Sequence, residues 1–306
     1  MTADPFVLRR RPRTVRRAPW TLMYHSVGNP RDDPYLITVG PERLAAQLRW
    51  LNRHGLTGVS MRELLAARAA GRDRRLVGLT FDDGYADFLR HAVPALRQHG
   101  HTATLFVLPG RLGGSNEWDP DGPRKPLLDA DGVREVVGAG LEIGSHGLLH
   151  RDLTSVDDTT LTTEVSESRA LLADITGITP AGFCYPYGAI DPRAVEAVRR
   201  AGYVYGCAIA PGPLTSLLAL PRTHVGDRDT ASRLHAKRLL HDFRSRGLPE
   251  VAQADATVLA GGPPRSGAAG GLRSAPTLPR HHAGHHSDPP PPAGPDPLTD
   301  SPGGHP

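Results

Sequence analysis

The stretch LVGLTFDDGYADFLRHAVPALRQHGHTATLFVL, residues 76–108, reads as one strand–helix–strand unit. Leu76–Phe81 is an apolar run that stops at Asp82-Asp83-Gly84. Tyr85–Gln98 carries a helical pattern and is closed by Gly100, a residue suited to the left-handed turn after a helix. Thr102–Leu108 is a second apolar run. The same alternation continues in both directions. Upstream lie a strand at Thr21–Val27, a helix at Pro41–His54 with Leu44, Leu48 and Leu51 at helical spacing, and a helix at Arg62–Ala70. Downstream, helices at Asp131–Ala139, Asp157–Thr176 and Asp191–Ala201, closed by Gly140, Gly177 and Gly202, alternate with strands at Leu141–Ser145, Ala181–Tyr185 and Tyr203–Ile209. A strand at Leu218–Val225 and a helix at Thr230–Arg246 complete the series. Repeated alternation predicts the α/β class, with parallel strands and helices packed outside. An open doubly wound sheet and a closed barrel both fit. The first strand is not followed by a glycine-rich phosphate loop, which argues against a nucleotide-binding sheet.

Composition sets three zones in the 306 residues. Residues 1–19 form a basic arm with Arg9, Arg10, Arg11, Arg13, Arg16 and Arg17 and one acid. Residues 20–248 hold the folded pattern. Residues 249–306 are rich in proline, glycine and histidine and cannot bury enough apolar area to offset backbone ordering, so a disordered tail is expected. Pro289–Pro292 favours an extended polyproline conformation, and His281, His282, His285 and His286 are an opportunistic metal tract. The chain carries a formal charge of +4, but outside the arm 30 basic residues face 31 acidic ones. The basic character therefore belongs to the arm, and nucleic acid is not an expected partner. A weak contact of the arm with an anionic surface is the alternative to a solvated arm. No apolar run is long enough to span a membrane, and no apolar segment completes a secretory signal after the arginines. A cytoplasmic monomer is the expectation, with an envelope location left open. Two cysteines exclude a disulfide scaffold, and Cys184 and Cys207 are expected as free buried thiols.

In such folds reactive groups gather where strands end. The strand at Leu76 ends in Asp82-Asp83, two adjacent carboxylates that an extended chain points to opposite sides. An ordinary Asp-Asp-Gly turn is the plain alternative. The strand at Leu141 ends in His146-Gly147-Leu148-Leu149-His150, a spacing that suits two imidazoles on one metal ion. Taken together, these make a two-histidine, one-carboxylate set with positions left for water and substrate. The next strand ends in Cys184-Tyr185-Pro186-Tyr187-Gly188, a sharp loop whose backbone N–H can face the site.

These three motifs, in this order, resemble the polysaccharide deacetylases of the NodB-homology group, carbohydrate esterase family four. Thr80-Phe81-Asp82-Asp83-Gly84 is unbroken, and His146–His150 carries Gly147 where the family has serine or threonine. Leu22-Met23-Tyr24-His25-Ser26-Val27 is similar to the opening of the subgroup acting on poly-N-acetylglucosamine. The resemblance implies a distorted barrel of about seven parallel strands and a hydrolase that removes N-acetyl groups from N-acetylglucosamine-type glycans. It implies one divalent ion, zinc before cobalt or nickel, on Asp83, His146 and His150. It makes Asp82 the base and gives the Tyr187 N–H to the oxyanion. The family's third-motif arginine falls on Cys184, a departure shared with members of that subgroup. His224 is the nearest candidate for the general acid, with His25 as its rival. Trp118, Pro186 and the Tyr187 ring are candidate sugar contacts, and loop packing is the plain alternative for Trp118. A non-sugar amide or imide as substrate, an iron oxygenase on the same triad, and an inactive carbohydrate-binding relic are the competing readings.

Overall fold

The computed structural model describes residues 17–245 together with Pro249, Val251, Ala252, Ala254 and Leu259. The expected polyproline and histidine tract lies outside the described residues, as do the arginines before Arg17. The strands are β1 (Thr21–Tyr24), β2 (Ser26–Val27), β3 (Thr38–Val39), β4 (Thr57–Val59), β5 (Leu76–Phe81), β6 (Thr104–Val107), β7 (Glu142–Ser145), β8 (Gly182–Cys184), β9 (Tyr205–Cys207) and β10 (Thr223–His224). The helices are α1 (Pro41–Arg53), α2 (Met61–Ala69), α3 (Val93–His99), α4 (Ala130–Gly138), α5 (Asp158–Thr176), α6 (Pro192–Arg200) and α7 (Ala231–Arg244).

The main sheet runs β10-β1-β5-β6-β7-β8-β9, and every pair in it is parallel. The short β4 shares one edge of β5 with β6, β4 pairing at Leu76–Gly78 and β6 at Thr80–Phe81. The two ends of the sheet approach through one segment. Leu220 pairs with Cys207 of β9, and Thr223 and His224 pair with β1. The sheet is therefore curled into the distorted seven-stranded barrel, and its weakest seam lies between β9 and β10.

Local chemistry explains most boundaries. Ser60 caps α2 in a reciprocal box with Glu63, and Asp129, Asp157 and Asp191 cap α4, α5 and α6. The helix expected over Tyr85–Gln98 divides: Phe88–Ala92 is a π-turn and α3 starts at Val93. Pro94 lacks an N–H and crowds the preceding turn, which accounts for the irregularity. The first strand breaks at His25, because β2 leaves the barrel to pair with β3. The folded body also extends past residues 20 and 248 on both sides. Ala18, Val251, Ala254 and Leu259 are buried in one apolar cluster with Met61, Leu64 and Leu65. Apolar area covering α2 draws these segments in, a long-range contact that local composition does not register.

Candidate active site

The carboxyl ends of β1, β5, β7 and β8 and the entry to β10 converge on a cleft of about 310 Å³. Asp82 follows β5 and donates its N–H to the Tyr24 carbonyl of β1, while His146 follows β7 and donates to Val107 of β6. β5 and β7 flank β6, so the two motifs leave the same end of the sheet one strand apart. Three residues here adopt left-handed backbone: Asp83 (φ 73°), His150 (φ 65°) and Tyr187 (φ 58°). A non-glycine residue in that region is strained, and the side chains of Asp83 and His150 meet at one point.

That point is formed by Asp83, His146 and His150, whose ligand atoms all lie within 4.8 Å of one another. The Asp83 Oδ1 sits 3.2 Å from His146 Nε2 and 3.4 Å from His150 Nε2. His146 Nδ1 donates to the Cys184 carbonyl at 2.8 Å, which turns Nε2 toward Asp83. The Asp83 Oδ1 is buried and makes no hydrogen bond among the described residues. Burial pushes the His150 imidazole down to about 3, outweighing the attraction of Asp83, so its ring is neutral. A buried carboxylate oxygen with the Nε2 atoms of two imidazoles turned to it fits a divalent cation. Asp82, His146 and Cys184 also lie close, but both Asp82 oxygens and the Cys184 sulfur are engaged by Arg222.

The His146–His150 loop is held from outside. The buried Glu164 carboxylate of α5 accepts from the N–H groups of Leu148 and Leu149, at 2.8 and 3.0 Å. Gly147 has φ 83°, and a Cβ there would stand 3.1 Å from the same carboxylate. Glycine in place of serine or threonine therefore belongs with Glu164.

Arg222 is the residue that the motif reading misses. Its guanidinium grips Asp82 with two bonds, Nη1 to Oδ1 at 2.7 Å and Nη2 to Oδ2 at 2.8 Å. It also donates to the Thr80 hydroxyl, the Ala208 carbonyl and, at 3.0 Å, the Cys184 sulfur. The cation absent at Cys184 is thus supplied from the strand entering β10. A signal existed: an arginine inside the apolar run Leu218–Val225 needs a buried anion. Burial alone would raise the Asp82 carboxyl, but the charge and hydrogen bonds of Arg222 outweigh it and hold the group below its usual range.

The two candidate acids separate. His25 lines the cleft, with Nε2 3.9 Å from Asp82 Oδ2. His224 does not line it. Its ring lies behind His25, with centroids 6.3 Å apart, and borders a different cavity with Lys237 and Leu240. Alternation gives His224 the same face as Arg222, two residues earlier, and it is the Arg222 guanidinium that reaches Asp82. Trp118 reaches the site and stacks on His150 at 4.5 Å, and the exposed Tyr187 ring meets the same imidazole edge-on at 4.5 Å. Pro186 is buried beside Gly147 and is not part of the cleft wall. In the Tyr187 loop, Gly188 donates to Tyr185 and Ala189 to Pro186, bonds that do not use the Tyr187 N–H. Tyr35 and the buried Asp119 complete the wall, and neither is part of the motifs. Their loops are tied together, since the Tyr35 hydroxyl accepts from Asp121 N–H and Lys125 donates to Ser26 and Thr38.

Residues 69–206 match the family model described as polysaccharide deacetylase. That span includes all three motifs and leaves out His25 and Arg222. YxkH of Bacillus subtilis (strain 168) is 25% identical over 209 residues, covering 67% of this chain and 70% of that protein. The poly-beta-1,6-N-acetyl-D-glucosamine N-deacetylase of Staphylococcus aureus (strain MSSA476) is 23% identical over 203 residues, 62% of this chain and 68% of its own. Among solved structures, the Streptococcus pyogenes deacetylase PplD superposes with a TM-score of 0.62 at 24% identity, over 73% of this chain and 99% of that one. IcaB from Ammonifex degensii gives 0.56 at 23% identity, over 72% and 97%.

Proposed function

From the polysaccharide deacetylase domain that this chain carries, we propose that it hydrolyses the acetamide C–N bond of N-acetylglucosamine units in a glycan, releasing acetate and a free amino sugar. The observation that carries this reading is the pairing of two carboxylates in one cleft: Asp83 aimed at two imidazoles, and Asp82 beside it held ionised by Arg222.

In this reading Asp83, His146 and His150 hold one divalent cation; zinc suits the donor set, and cobalt or nickel would also fit. Such an ion supplies Lewis acidity, polarising the acetamide carbonyl and making water more acidic. Asp82 accepts the proton of the attacking water, and the Arg222 fork fixes which oxygen faces it. The Tyr187 N–H stands for the oxyanion donor, on a backbone already turned by its positive φ. His25 donates a proton to the departing nitrogen, replacing His224 in that role because it shares the cleft with Asp82. Trp118, Tyr187 and Tyr35 offer ring faces and edges to a sugar at the mouth.

The test is acetate release by metal-reconstituted protein from β-1,6-linked N-acetylglucosamine oligomers, chito-oligosaccharides and peptidoglycan fragments, with simple N-alkyl acetamides alongside. Release from at least one glycan and none from the simple amides is expected. Turnover confined to simple amides or imides would move the assignment to non-sugar substrates, and no turnover on any of them would leave a binding protein.

A further inference from the structure

The exposed large apolar side chains of the described residues are not scattered. Tyr35, Leu36 and Tyr187 stand at or beside the cleft and Leu171 is alone. The other three, Leu239, Leu240 and Phe243, are 58%, 44% and 69% exposed and fall within five residues of α7. Leu239 and Phe243 share one line of the helix at i, i+4, with Leu240 beside them. The helix buries only Leu234 in the body. Arg238 and Arg244 bracket the apolar group, and Arg233 lies in line with Leu240 and Arg244.

A second feature meets this face. The chain enters the fold at Ala18, which is buried, and the carbonyl of Arg17 accepts from Arg68. Trp20 tilts against His241 of α7 with centroids 6.5 Å apart, and Arg17, Ala18, His241 and Asp242 border one surface cavity. The six arginines at positions 9–17 therefore precede, by nine residues or fewer, an entry point on the last turns of α7. These turns lie beside the residues leading into β1, whereas Asp82 follows the far end of β5, so the face and the cleft are at opposite ends of the strands.

We propose that this face docks on an anionic lipid bilayer. Leu239, Leu240 and Phe243 enter the headgroup–acyl boundary, and Arg238, Arg244 and the arm meet lipid phosphates. No described helix is long and apolar enough to cross a membrane, and the contact needs none. A second copy would set the same arginines against one another, so charge selects an anionic surface over self-association. With the barrel seated this way, the cleft faces away from the lipid.

The test is co-sedimentation of the full chain with vesicles of phosphatidylcholine alone and of phosphatidylcholine with phosphatidylglycerol. Binding is expected only to the second, falling with added salt. Leu239→Ser/Phe243→Ser, and separately Arg9→Gln/Arg10→Gln/Arg11→Gln/Arg13→Gln, are each expected to lower the partition coefficient about tenfold. Circular dichroism melts verify that both variants fold, and acetate release is expected to be unchanged in them. Equal binding to neutral vesicles, no binding at all, or a serine variant that partitions as the parent does would overturn the proposal. So would a serine variant whose only change is the loss of a dimer in sedimentation velocity.

Discussion

Arg222 and Asp82, 140 residues apart, form a two-bond pair with side chains almost wholly removed from solvent. Breaking a buried pair by removing one partner leaves an uncompensated charge. Arg222→Ala is therefore expected to cost about 3–5 kcal/mol of stability and nearly all turnover. Arg222→Ala/Cys184→Arg returns a guanidinium from a position whose sulfur lies 3.0 Å from Arg222, and partial recovery of kcat is expected. Thermal melts and acetate release measure the two effects. Full activity in Arg222→Ala would show that Asp82 needs no clamp.

Asp82→Asn is expected to abolish turnover while leaving bound metal near one ion per chain. His146→Ala is expected to lose both, since its Nε2 faces Asp83. Metal content by mass spectrometry, beside acetate release, separates a base from a ligand. Unchanged turnover in Asp82→Asn would contradict the base role, and in His146→Ala the ligand role.

His25→Ala is expected to lower kcat about 10²–10⁴-fold and His224→Ala less than about threefold. The ground is that His25 lines the cleft with Asp82 whereas His224 lies behind it. The reverse order in steady-state kinetics would return the acid role to His224.

Glu164 braces the His146–His150 loop through the backbone of Leu148 and Leu149. Glu164→Ala is expected to weaken zinc binding about tenfold or more in a competitive chelator titration. Gly147→Ser places a Cβ at φ 83° against that carboxylate and is expected to cost about 1–3 kcal/mol in denaturant melts. A neutral result for both would mean that the loop holds itself.

Burial, with the nearby Asp83 charge, raises the Asp119 carboxyl to about 6. A folded value above the unfolded one means that the folded state binds more protons between the ordinary aspartate range and about pH 6. Stability from this group is thus present at low pH and is lost as pH rises through about 6. Asp119→Asn is expected to raise Tm more at pH 7 than at pH 4. An equal shift at both values would assign the effect to packing.

The barrel is largely legible in the order of elements, because helix stops such as Gly100 and Gly177 and caps such as Asp157 and Asp191 are local chemistry. Thr57–Val59 is not legible as a strand: three residues with a central glycine carry no period, and only the free edge of β5 selects them. The motif histidines and aspartates are legible because each pair is close in sequence. His224 misleads because its place relative to the cleft depends on where the last strand meets β1, a long-range fact.

The sequence by itself determines the parallel α/β order and the places where Asp82, Asp83, His146 and His150 leave their strands, since both follow from local periodicity and turn chemistry. Only the tertiary structure decides which arginine serves Asp82, which histidine shares its cleft and what braces Gly147. Those choices depend on the curl that brings β10 beside β1, and α5 beneath the His146 loop, bringing together charges that the chain holds far apart.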